Sequence, residues 1–121
     1  MRTRTATDAT TIRDQVVKEH AKNPHPGLER EHLRAHLLIH EMVEKQLAEN
    51  DPPEVGRVLH RLLANGLSRH EAVHAIGTVV AREALAMLKQ GRELNKEVYV
   101  RELQSLTVES YRQSVANNEA L

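Results

Sequence analysis

Apolar residues recur along this chain at intervals of three and four, the spacing that keeps one face of an α-helix away from water. Ile12, Val16 and His20 form such a stripe with Val17 beside it, which predicts a first helix over residues 9–22. Asn23-Pro24-His25-Pro26-Gly27 ends it, because two prolines and a glycine cannot continue a helix. A second helix is predicted over 28–49, with Leu33, Leu37, Met42, Val43 and Leu47 as its apolar set. Asn50-Asp51-Pro52-Pro53 stops it, and the two prolines suit the first turn of a short third helix carrying Val55, Val58, Leu59, Leu62 and Leu63.

Asn65-Gly66 supplies a left-handed stop for that third helix. Ser68-Arg69-His70-Glu71 then matches the S-x-x-E capping box, so a fourth helix starts at Ser68 and runs through Val73, Ile76, Val80, Ala84, Met87 and Leu88 to Gly91. A fifth is expected after Asn95, carrying Val98, Leu103, Leu106 and reaching toward Val115. Strand-like alternation, internal repeats and glycine-rich phosphate loops are absent from the sequence. The expected fold is all-α, an antiparallel bundle of four to five helices in one domain over 9–117, with a polar disordered lead-in at 1–8 and a frayed tail at 118–121.

Length and composition agree with one core. A 121-residue chain buries about two-thirds of its unfolded surface. Aromatic residues are 2% of it, two tyrosines with no Phe or Trp, so the core must be aliphatic. Lys plus Arg (17) equals Asp plus Glu (17), which removes the basic face that nucleic-acid binding uses, and stacking aromatics are missing too. Without cysteine there is no disulfide, thiolate zinc site, iron–sulfur cluster or thiol catalysis. No apolar run approaches the ~18 residues of a membrane span, and none follows the basic start as a secretory signal would require, so the expected location is the cytoplasm, without membrane or nucleic-acid partner.

The unusual content is histidine. All eight lie in the first 74 residues: His20, His25, His32, His36, His40, His60, His70 and His74. A helix turns about 100° per residue, so His36, His40 and Glu44 fall within roughly 80° of one another, bordered by Leu33, Leu37, Val43 and Leu47, while Arg34, Glu41 and Lys45 lie opposite. His70 and His74 share an arc with Gly77, Ala81, Leu85 and Leu88. Both pairs are therefore expected to face inward. Four buried imidazoles left unsatisfied would cost roughly 1–3 kcal/mol each, and a divalent transition metal resolves this directly, because i,i+4 spacing aims two neutral imidazoles at one point. The expected ligands are His36, His40, His70 and His74 with Glu44 as a further candidate. Zinc or iron is foremost, and nitrogen-rich ligation argues against calcium and magnesium.

Two other readings use the same residues. In the first, the histidines form a metal-free hydrogen-bond network in an interaction protein, with a homodimer as the default partner. In the second, His70-Glu71-Ala72-Val73-His74 is the H-E-x-x-H of a zinc peptidase. Against the peptidase stand the capping role of Glu71 and the lack of a distinctive third-ligand motif among Glu83, Glu93, Glu97 and Glu102. No catalytic residue, substrate or pathway follows from the sequence. His20 extends the first stripe, His32 begins the second helix, His60 sits at a helix edge beside Arg57 and Arg61, and His25 belongs to the proline loop.

The run His36-Leu37, His40, Gln46-Leu47, Pro52-Pro53 and His70-Glu71-Ala72-Val73-His74-Ala75 resembles the bacterial domain-of-unknown-function family 1841 over about residues 32–103. The paired H-L-x-x-H and H-E-A-x-H-A elements carry the likeness. The resemblance implies no established activity; it implies that the two histidine elements belong together, as a shared site requires. One departure is Lys45, which stands where an acidic residue usually precedes the Gln-Leu pair, with Glu44 one step earlier.

Overall fold

In the computed structural model, residues 9–22 and 30–117 are described, and they form six helices with no strand among them. These are α1 (Ala9–Lys22), α2 (Arg30–Glu49), α3 (Pro53–Ala64), α4 (Arg69–Gln90), α5 (Lys96–Ser105) and α6 (Val108–Ala116). The expected lead-in at 1–8 and tail at 118–121 lie outside the described residues. The all-α bundle expected from the periodicity is what the chain forms, with one helix more than expected.

At the centre is α4. Every residue from Ala72 to Val80 is buried, so this stretch has no solvent face at all and is covered by neighbours on every side. Its start is fixed by the expected capping box: Ser68 Oγ accepts from the Glu71 N–H at 3.1 Å, and the Glu71 carboxylate accepts from the Ser68 N–H at 3.0 Å. Its end is fixed by Gly91, whose φ of 60° is the left-handed conformation that a residue with a side chain adopts only at a cost. Around α4 pack α2, α3 and α5, and α1 lies against α2 with Ile12 and Val16 buried. Val17, placed by the periodicity on the edge of the buried stripe of α1, is half-exposed.

The third helix closes with a Schellman turn. Asn65 is the cap, Gly66 takes a φ of 105°, the Gly66 N–H donates to the Leu63 carbonyl and the Leu67 N–H to the Leu62 carbonyl. Leu62 and Leu67, the two residues such a turn brings together, are both buried. In α2, Val43 is fully enclosed and Leu33, Leu37 and Leu47 are half-buried, but Met42, expected in the apolar set, is exposed.

The expected fifth helix is in fact two. Leu106 and Thr107 are extended, and Thr107 and Ser110 cap α6 reciprocally, each hydroxyl accepting the other's backbone N–H. Arg61 on α3 occupies the corner: Nη1 donates to the Leu106 carbonyl at 2.6 Å, and Nη2 to those of Leu103 (3.4 Å) and Gln104 (3.3 Å). These are carbonyls at the negative end of α5, where a guanidinium is favoured by charge as well as by hydrogen bonding. Replacing Arg61 by Met keeps most of the aliphatic stem and removes the donors. It is expected to cost about 2 kcal/mol in urea denaturation and to loosen α6 before the rest of the fold.

Two further polar contacts tie the ends together. Tyr99 on α5 donates its hydroxyl to Gln46 Oε1 on α2 at 2.7 Å, and its burial pushes the phenol up to about 12 despite that bond. Glu83, buried near the end of α4, accepts from Arg92 Nη1 at 2.7 Å, and that bond holds its carboxyl below the ordinary range even though burial opposes it.

Candidate metal centre

Four imidazoles meet where α2 faces α4. His36 and His40 are one turn apart on α2, and His70 and His74 one turn apart on α4. The two helices run in opposite senses here: Glu44 meets Arg69, His40 meets His70, and His36 meets His74. His36, His40 and His74 are only 3%, 1% and 8% exposed, which places all three in the interior, while His70 is half-buried.

The rings of His36, His40 and His74 form a nearly equilateral triangle, with centroids 4.6, 4.5 and 4.8 Å apart. His70 stacks on that triangle at 5.4 Å from His40 and 5.3 Å from His74. Nε2 of His36 and Nε2 of His74 are 3.0 Å apart. One ligand atom from each of His36, His40 and His74 lies within 4.8 Å of the others. The Nε2 atoms of His40 and His70 are themselves closed off from solvent.

Those distances have a chemical reading. At 3.0 Å only one proton fits between two Nε2 atoms, so one ring donates and the other accepts. An ion in place of that proton would take a lone pair from each, the N–H of both rings moving to Nδ1. With metal–nitrogen bonds of 2.0–2.1 Å, two donors of a tetrahedral ion are about 3.3 Å apart and their ring centroids about 5 Å apart. The observed Nε2–Nε2 distance of 3.0 Å is a few tenths of an ångström shorter than this, the ring separations of 4.5–5.4 Å lie on either side of the expected one, and the donors of the three buried rings, within 4.8 Å of one another, would have to draw closer around an ion.

The histidines are held by their helices and by what lies around them. Thr78, one turn beyond His74 and buried, donates its hydroxyl to the His74 carbonyl at 3.1 Å. Glu44, one turn beyond His40, is engaged by Arg69: its two oxygens accept from Arg69 Nη1 and Nη2 at 2.6 and 2.7 Å. This two-pronged pair clamps α2 to the start of α4 beside the cluster. Arg69 thus has a role that the capping-box reading left out, and its signal in the sequence is its place next to His70, with Glu44 one turn past His40.

Glu71 points elsewhere. It is exposed, and its carboxyl is held below the ordinary value first by the Ser68 N–H and then by the Ser68 hydroxyl, with partial burial opposing. His60 is exposed on α3. His25 lies outside the described residues, as do the side chains of His20 and His32. Among the described residues no helix is long and apolar enough to cross a membrane. Compared with known proteins, the chain matches no family model, no curated protein and no solved structure.

Proposed function

We propose that this chain is a metal-binding helical bundle in which His36, His40 and His74, with His70 beside them, hold one divalent transition ion between α2 and α4. The observation that carries the reading is the convergence of ring nitrogens: Nε2 of His36 and His74 at 3.0 Å, with a His40 donor in the same group and all three residues enclosed. Zinc or iron suits neutral imidazole donors. The chain's resemblance to family 1841 fits, because the two histidine elements that carry it are the two that meet. The same proposal places the protein in the cytoplasm, as a homodimer formed on apolar surface such as Leu38, Leu85 and Leu88.

The alternative is a metal-free network, favoured by the fact that 3.0 Å is also an ordinary N–H···N hydrogen bond. The peptidase reading has less support, since the carboxylate a general base would need is committed to the helix cap. Elemental analysis decides between the first two. Protein purified without an affinity tag is expected to carry about one equivalent of metal that is absent from a His40→Ala/His74→Ala double variant. Wild-type protein that is metal-free and fails to bind added zinc, iron or copper would leave the network as the account of the cluster.

A further inference from the structure

Away from the imidazoles, α2, α4 and α5 border a cleft of about 150 Å³ that none of the four histidines lines. Its walls are Met42 on α2, Ala84 and Met87 on α4, and Leu94 in the turn before α5, with the buried Val80 and Tyr99 beneath. Met42 and Leu94 are exposed, so the cleft opens to solvent between them. An apolar cavity of this size takes a single ring. Two unbranched thioethers on opposite walls adapt to one more readily than branched side chains would.

Of the residues lining the cleft only Glu83 is charged, and that charge is met: its carboxylate accepts from Arg92 Nη1 at 2.7 Å and from the Asn95 N–H. A charged occupant would lose water there without finding a counter-ion, so the charge pattern selects a neutral molecule. One donor is open. Tyr99 donates to Gln46 Oε1 at 2.7 Å and so holds that arm of the amide. The other arm, Nε2, makes no hydrogen bond among the described residues. Gln46 thus offers an N–H beside apolar walls, and a carbonyl oxygen on the occupant would satisfy it.

We infer that this cleft is a binding site for a small uncharged molecule, one apolar ring carrying a carbonyl oxygen, which Gln46 orients. The site shares no side chain with the histidine cluster and stands whether or not that cluster holds an ion.

Acetophenone is the probe, and benzoate, of similar size but anionic, is its counterpart. Each is titrated into the full chain isotopically labelled at the methionine methyl carbons. Acetophenone is expected to shift the Met42 and Met87 methyl signals together and saturably in NMR spectra, and benzoate to leave them in place. Gln46→Glu keeps an acceptor for Tyr99 but removes the donor, and should weaken acetophenone binding by roughly tenfold. Ala84→Phe fills the cleft and should abolish the response. Methyl signals that ignore acetophenone overturn the inference, as do shifts that benzoate reproduces. A folded Ala84→Phe that still responds, or a Gln46→Glu that binds as tightly as wild type, overturns it as well. So do Met42 and Met87 signals that move with protein concentration alone, because a second copy would then cover the cleft.

Discussion

Adding a divalent ion to chelator-stripped protein is expected to raise the thermal midpoint by on the order of 15 °C, and excess chelator to reverse the rise. The size follows from linkage. A ligand present at about 1,000 times its dissociation constant stabilises the folded state by roughly 4 kcal/mol, and a domain of this length gains several degrees for each kcal/mol. The donors are assembled only in the folded chain, since His36 and His74 are 38 positions apart, so the unfolded state competes weakly. Scanning calorimetry with and without zinc or iron(II) makes the measurement. His40→Leu sharpens it: a 1% exposed imidazole becomes an apolar group of similar size. The variant should lose the metal response while keeping the stability of the metal-free protein. An unchanged midpoint on chelation, together with a destabilised His40→Leu, would mean that a hydrogen-bond network holds the cluster.

Leu62→Ala is expected to cost about 2–5 kcal/mol, the ordinary range for a buried leucine cut back to its Cβ, out of a total that for small domains is about 5–15 kcal/mol. Leu62 has no exposed surface and belongs to the main core with Val43, Val55, Ile76 and Leu103. No Phe or Trp is present that could swing into the hole. The Schellman turn adds to the loss, because the contact between Leu62 and Leu67 accompanies the bonds that end α3 and set the direction of the chain into α4. Urea denaturation should show the midpoint fall with little change in slope. Metal content per folded molecule should stay the same, since the four histidines stand on α2 and α4. A loss under 1 kcal/mol would mean that the core around α3 closes over the gap.

Much of this architecture is legible in residue order, and the parts that are not fail for identifiable reasons. Ser68 and Glu71 announce the start of α4, Gly91 its end, and Pro52-Pro53 the first turn of α3, because each acts on its own backbone within a few residues. The inward direction of His36, His40 and His74 follows from periodicity for the same reason. Periodicity says which way a side chain points, not how far along a helix the neighbours reach. Leu85 and Leu88 share the arc of His70 and His74 yet are 52% and 81% exposed, because enclosure of α4 ends near Glu83. Met42 is a similar case on α2.

The break between α5 and α6 is local but easily overlooked, since Ser110 fills the place where Glu or Gln completes the usual cap, and Arg61 reaches it from 45 positions away. The partnership of Glu44 with Arg69 likewise depends on how two helices dock. Charges at the edge of an inward stripe can serve a ligand or one another, and only their distance decides.

The fully enclosed middle of α4 has a consequence for selectivity. His74 stands within Ala72–Val80, a length of helix that cannot roll or slide without displacing packed neighbours on every side. Its ring nitrogen is accordingly delivered to a place set by the backbone before any ligand arrives. On the metal-binding proposal, an ion entering the cluster would have to conform to the spacing it finds there, so discrimination would be exercised by size and preferred bond angles more than by the strength of the individual donors.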